Sequence, residues 1–200
     1  KLSADRVEGY RAFCNKLWNA MKFFHLQLKG GGITPPSEGI HAWILANRQR
    51  LSVEERWILS LLQRLTSTVT KGLEEFELDT SARALYEFTW YEFCDWFVEF
   101  SKIPLREKGP ARAQAVFVLH YVLEQTLALL HPFIPFITDE LWETLPWKKP
   151  RSNPATLMRE AFPETDLTLR DSTAEDTVSR LKRVIDGVRN FRGENNLSPK

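Results

Sequence analysis

Leu85-Tyr86-Glu87-Phe88-Thr89-Trp90-Tyr91-Glu92-Phe93-Cys94-Asp95-Trp96 is the stretch that decides how this chain is read. As a helix, continuing through Phe97 and Phe100, it leaves little purely polar surface. A helix apolar nearly all round belongs at the centre of a bundle. Its charges, Glu87, Glu92, Asp95 and Glu99, then need partners. Asp79 or Thr80 is placed to cap its start, and Pro104 is expected to stop it near Lys102.

The flanking segments carry the same period. Tyr10, Phe13, Leu17, Met21, Phe24 and Leu28 recur at spacings of three or four, which predicts a helix ending at Gly30-Gly31-Gly32. Pro35-Pro36 forbids an early restart, and a short helix is expected over 41–47. Ser52-Val53-Glu54-Glu55 matches a capping box. Ile58, Leu61, Leu62, Leu65, Val69, Leu73 and Phe76 then form one face to about Glu77. Pro110 suits the first turn of a helix whose inner stripe is Val116, Leu119, Leu123, Leu127 and Leu130. Pro132 and Pro135 break it before a short helix over 136–145. Pro146, Pro150, Pro154 and Pro163 space out an irregular stretch. Thr173, with Asp176 three residues on, is expected to cap a last helix striped by Val178, Leu181, Val184, Ile185, Val188 and Phe191. No segment has a convincing strand period. The reading is an all-α helical bundle over 1–145, an irregular Pro-rich connection over 146–172, and a looser arm over 173–200 comprising a basic helix and exit segment.

Composition narrows the function classes. The chain is 43% hydrophobic and 12% aromatic over 200 residues, enough for a sizeable core and incompatible with disorder. No uninterrupted apolar run reaches the roughly 18 residues of a membrane span. Lys1 to Tyr10 carries no signal-peptide core, and position 1 is not Met, so an excised piece of a longer chain is expected. Cys14 and Cys94 lie far apart inside helical patterns and read as reduced thiols of a cytosolic protein.

No self-contained active site is visible. Gly30-Gly31-Gly32 lacks the Lys-Ser/Thr pair and strand of a phosphate loop. His25, His41, His120 and His131 do not fall at metal-ligand spacing, so no metal site is expected. Asp95 and Glu99, i and i+4, resemble paired acids but have no nucleophile or metal partner and read as solvated or salt-bridged.

Charge distribution says more than the net +1. From Gly9 to Gly32 there are four cations, Arg11, Lys16, Lys22 and Lys29, and no acid. Arg11, Asn15, Trp18, Lys22 and Lys29 fall in one stripe opposite the apolar face, with Asn19 at its edge. Cations for phosphates, amides for base edges and an aromatic for stacking are what unpaired RNA requires. A solvated charged face is the plainer reading of the same stripe. Over the thirteen residues from Arg180 to Arg192 the last helix adds Arg180, Lys182, Arg183, Arg189 and Arg192 against Asp186 alone. Arg192 falls inside the apolar arc, where it must snorkel or meet an anion.

Several stretches resemble one family. Phe13-Cys14-Asn15-Lys16-Leu17-Trp18-Asn19-Ala20 resembles the opening helix of the anticodon-binding domain of valyl-tRNA synthetases. Arg56-Trp57-Ile58-Leu59-Ser60 is similar to the start of its second helix, and residues 85–96 to its aromatic helix. Leu130-His131-Pro132-Phe133-Ile134-Pro135-Phe136-Ile137-Thr138-Asp139-Glu140-Leu141-Trp142 is similar to a later helix turn. Val188-Arg189-Asn190-Phe191-Arg192-Gly193-Glu194-Asn195-Asn196-Leu197-Ser198-Pro199-Lys200 resembles the helix and exit after the bundle. These run in the family's order from near Tyr10 to Lys200. Gly193 stands where Ala or another helix former is expected. The family's two ATP-site signatures are absent.

The resemblance implies a piece that binds a valine-accepting tRNA and performs no chemistry of its own. It implies no cofactor here; ATP would be used by a catalytic domain outside these residues, as would the editing and C-terminal coiled-coil domains. It implies Arg11, Asn15, Lys16, Asn19 and Lys22 at the anticodon loop and Arg189 and Arg192 at the tRNA backbone. It also implies a cytoplasmic protein with no membrane partner, taken as a monomer. Against this stand helix-tying roles for Asn15 and Asn19, and Trp18 reads equally as core. Trp90, Cys94 and Trp96 are read as packing. Rival readings are the same domain of an isoleucyl relative and a helical interaction scaffold without RNA.

Overall fold

The computed structural model describes residues 4–29, 32–148 and 155–197. Gly30 and Gly31 of the expected glycine loop, Pro150 and Pro154 of the connection, and Ser198, Pro199 and Lys200 of the exit lie outside the described residues. Helices run over Ala4–Leu28 (α1), Ile40–Asn47 (α2), Val53–Glu74 (α3), Leu78–Glu87 (α4), Val98–Leu105 (α5), Pro110–Leu130 (α6), Pro135–Glu143 (α7) and Ser172–Glu194 (α8). A π-helical segment, Phe88–Phe97, joins α4 to α5. No strand occurs among the described residues. The chain is an all-α bundle.

Its centre is α6 rather than the aromatic stretch. From Ala115 to Leu123 the helix is buried without a break, and it packs against α1, α2, α3, α4, α5 and α7. The aromatic stretch instead lies at one side, with Tyr91 50% exposed. Tyr and Trp rings have polar ends that favour such half-wet positions, whereas the Val, Leu and Phe of α6 have none. By length and composition α6 could cross a membrane, but its apolar residues face the bundle.

Local chemistry explains where helices begin and end. The capping box of α3 forms: Glu55 N–H donates to Ser52 Oγ (3.2 Å) and Ser52 N–H to Glu55 Oε2 (2.8 Å). Phe76, expected on the inner face, is 86% exposed with φ 59°. It occupies the left-handed position of a Schellman turn, where Glu77 N–H reaches Gly72 O at 2.7 Å. Gly72 is needed there for space, because a Cβ would meet Ser81 Oγ at 2.1 Å. The next helix therefore starts at once, after Glu77, and neither Asp79 nor Thr80 caps it. Pro104 lies within the last turn of α5 and not beyond it; its missing N–H removes one i to i−4 bond, and the helix ends one residue later at Leu105. Asp171 caps α8 by accepting from Ala174 N–H at 2.9 Å, displacing the expected Thr173.

Residues 155–172 lack periodicity but not anchorage. Leu157 and Leu169 are buried, and Asp139 accepts from Leu157 N–H at 2.7 Å. On α3, Gln63 Oε1 accepts from Asp166 N–H and Ser60 Oγ from Asp171 N–H, both at 2.8 Å. Arg56 pairs with Asp171 at 3.0 Å and Arg64 with Glu175 at 2.8 Å. The outer face of α3 thus fixes the start of α8, burying Ala174 and Val178. Beyond that the expected stripe is open apart from Ile185, which packs partly against the core: Leu181 is 38%, Val184 64%, Val188 52% and Phe191 60% exposed.

Candidate nucleic-acid interface

The amphipathic period of α1 turns Phe13, Leu17, Met21 and Phe24 into the core. Tyr10, assigned to the same face, is 64% exposed, and Val7 before it is 53% exposed. The opposite face carries Arg11, Asn15, Asn19 and Lys22, all exposed, with Trp18 at 38%. Asn15 and Asn19 make no side-chain hydrogen bond among the described residues, so they tie no helices together. Arg11 lies 2.9 Å from Glu8, with both side chains more than half exposed. Such a pair is worth about 0–1 kcal/mol and leaves the guanidinium open to a stronger anion.

Lys16 behaves differently. Its Nζ lies 2.6 Å from Asp95 Oδ1 and 3.8 Å from the centre of the Trp90 ring. Behind Trp90, Tyr86 stacks at 5.6 Å and Phe13 stacks on Tyr86 at 5.2 Å, a ladder joining α1 to the π segment. On α8, Lys182 Nζ lies 2.6 Å from Glu92 Oε2 and 5.3 Å from the Trp96 ring. Arg189 lies 4.9 Å over Trp96 with most of its side chain exposed, and Arg192 is half-buried. Both cation-rich helices therefore meet the π segment. Three of the four acids on the aromatic stretch have a lysine partner among the described residues, Glu99 with Lys102, Asp95 with Lys16 and Glu92 with Lys182. Glu87 is exposed. Lys182, Glu92 and Asp95 are not among the site residues expected from sequence; four acids on a helix with almost no polar face were the signal for Glu92 and Asp95, and Lys182 stood only among the cations of the last helix.

Burial pushes the Cys94 thiol up to about 12, so it stays protonated and unreactive. Among the described residues no group of three His, Cys, Asp or Glu side chains is placed to hold a metal ion. His131 ends α6 with Nδ1 2.8 Å from Thr138 Oγ1. His120 Nε2 lies 2.6 Å from the Pro146 carbonyl; the carbonyl only accepts, so Nε2 carries the proton. Burial holds the imidazole down at about 4, which suits a packing role.

The chain is 42% identical to the valine–tRNA ligase of Syntrophotalea carbinolica over 200 residues, all of this chain and 21% of that protein. It is 39% identical to that of Pseudothermotoga lettingae over 200 residues, again all of this chain and 21% of the relative. It is 41% identical to that of Carboxydothermus hydrogenoformans over 195 residues, 98% of this chain and 20% of the relative. The chain thus spans about a fifth of the length of these relatives. The family described as the anticodon-binding domain of tRNA ligase matches residues 55–200, and the chain belongs to that family.

Proposed function

We propose that this chain holds the anticodon stem-loop of a valine-accepting tRNA for a valine–tRNA ligase, whose ATP-dependent attachment of valine takes place in a catalytic domain outside these residues. The relatives' names support valine over isoleucine. In this reading catalytic, editing and coiled-coil domains complete the parent, which works in the cytoplasm, and the chain is a monomer.

The observation that carries the reading is the outward face of α1. Arg11, Asn15, Asn19 and Lys22 stand exposed along it with Trp18, and the two amides are without hydrogen-bond partners among the described residues. Free amides read base edges, an exposed indole stacks, and the cations neutralise phosphates. Arg189 and Arg192 extend the cationic surface towards the RNA backbone. Lys16, held by Asp95, contributes by placing the helix.

Binding of the chain to the native stem-loop, against one with the middle and third anticodon bases changed, tests this at several salt concentrations. Native-loop preference is expected, and Arg11→Ala or Lys22→Ala should lower the salt slope by about one each. Equal binding to both loops would sink anticodon reading. RNA binding without salt dependence would sink the phosphate contacts.

A further inference from the structure

The π segment does something an α-helix of the same sequence could not. In an α-helix, side chains five apart point about 140° away from one another. Hydrogen bonding from i to i+5 brings them onto one side, and the Val98 N–H to Phe93 O bond shows that spacing. Trp90 and Asp95 are five apart, yet both hold Lys16 Nζ, at 3.8 Å from the ring centre and 2.6 Å from the carboxylate. Glu92 and Trp96, four apart, hold Lys182 Nζ on the side facing α8, at 2.6 and 5.3 Å. Trp57 of α3 closes the second site at 5.4 Å from Lys182. Each clamp joins an ion pair to a cation–π contact, and both lysines are at least three-quarters withdrawn from solvent. Partial desolvation strengthens both kinds of contact.

We propose that Trp90, Asp95, Glu92 and Trp96 are positioning residues for RNA recognition. Through Lys16 and Lys182 they hold α1 and α8 at one fixed spacing on the π segment, so that a single RNA meets both cationic helices in register. The proposal rests on the anticodon-binding reading above, and it makes Lys16 and Lys182 internal anchors.

Asp95→Asn and Glu92→Gln separate this role from simple charge. Each removes a negative charge beside an RNA-binding surface, so charge alone predicts tighter binding and a steeper salt dependence. Positioning predicts instead that preference for the native over the changed loop falls by about tenfold, while Asp95→Glu retains it. Circular dichroism checks that helix content is unchanged; Lys16→Gln and Lys182→Gln open the same clamps from the other side if an acid variant loses helix. Undiminished preference in the folded variants overturns the proposal. If the wild-type chain shows no preference, anticodon reading fails separately, and hydrogen exchange on the RNA-free chain decides the positioning. Faster exchange over 15–22 in Asp95→Asn and over 179–190 in Glu92→Gln supports the clamps. Unchanged exchange in both overturns them.

Discussion

α6 and α8 are helices of similar length, 21 and 23 residues, and both carry apolar side chains at helical spacing. In α6 the stripe Val116, Leu119, Leu123, Leu127 and Leu130 is buried, and so is most of the circumference around it. In α8 the stripe is buried at Val178 and open from Leu181 to Phe191 apart from Ile185, which packs partly against the core. The difference is one of neighbours. Six helices surround α6, whereas α8 is fixed by α3 and by its lysine on the π segment. An apolar period says which face prefers cover; it does not say that cover exists.

The largest test of that contrast is a pair of truncations. Leu123→Ala, at a fully buried position of α6, should cost about 2–5 kcal/mol. Val188→Ala, at 52% exposure on α8, should stay within about 0.5 kcal/mol. Urea denaturation measures both, and a loss above about 1.5 kcal/mol at Val188 would mean that the stripe is covered in solution.

Next in size is a pH effect confined to α6. Burial raises the Glu124 carboxyl to about 7 from 4.5 and lowers His120 to about 4 from 6.5. Their nearest atoms, Glu124 Oε2 and His120 Nδ1, are 3.9 Å apart, but above about pH 4 the imidazole is neutral, so no ion pair forms. The folded state binds the Glu124 proton more tightly than the unfolded state, so that contribution is lost as pH rises from 4.5 through 7. The folded state resists protonating His120, so that contribution is lost as pH falls from 6.5 through 4. Between 4.5 and 6.5 the two slopes oppose each other. Glu124→Gln should therefore expose a steady loss of stability on acidification across that window, and its advantage over wild type should level off above pH 7. Thermal melts from pH 4 to 8 read both; parallel curves would refute the assignment.

Smaller effects sharpen the contrast. Thr126 is fully buried in α6, and its hydroxyl has no hydrogen-bond partner among the described residues. Thr126→Val should stabilise by about 1 kcal/mol, because the buried hydroxyl is desolvated without compensation. Gly187 in α8 has nothing within 4 Å of an added Cβ. Gly187→Ala should therefore add about 0.5–1 kcal/mol of helix stability, seen as a higher midpoint for α8 by segment-resolved hydrogen exchange. No gain would mean that α8 is held wholly by its partners.

The sequence alone was enough for the all-α class, the capping box at Ser52 and Glu55, Pro110 and Pro135 near their helix starts, and the exposed polar face of α1. Each depends on neighbours within a turn or two, and such local preferences are written in consecutive residues. The four acids on the aromatic stretch also signalled that partners were needed, without naming them. Which helix sits at the centre, where Lys16 and Lys182 point, how 155–172 is anchored without periodicity, and why Phe76 and Tyr10 face outward were decided by the tertiary structure. The π segment belongs with these: its side-chain pattern reads as an α-helix of aromatic residues, and the wider turn places Trp90 with Asp95, five residues on, at one lysine. These outcomes depend on residues as far apart as Lys182 and Glu92, |i−j| = 90, which the period of a single helix does not encode.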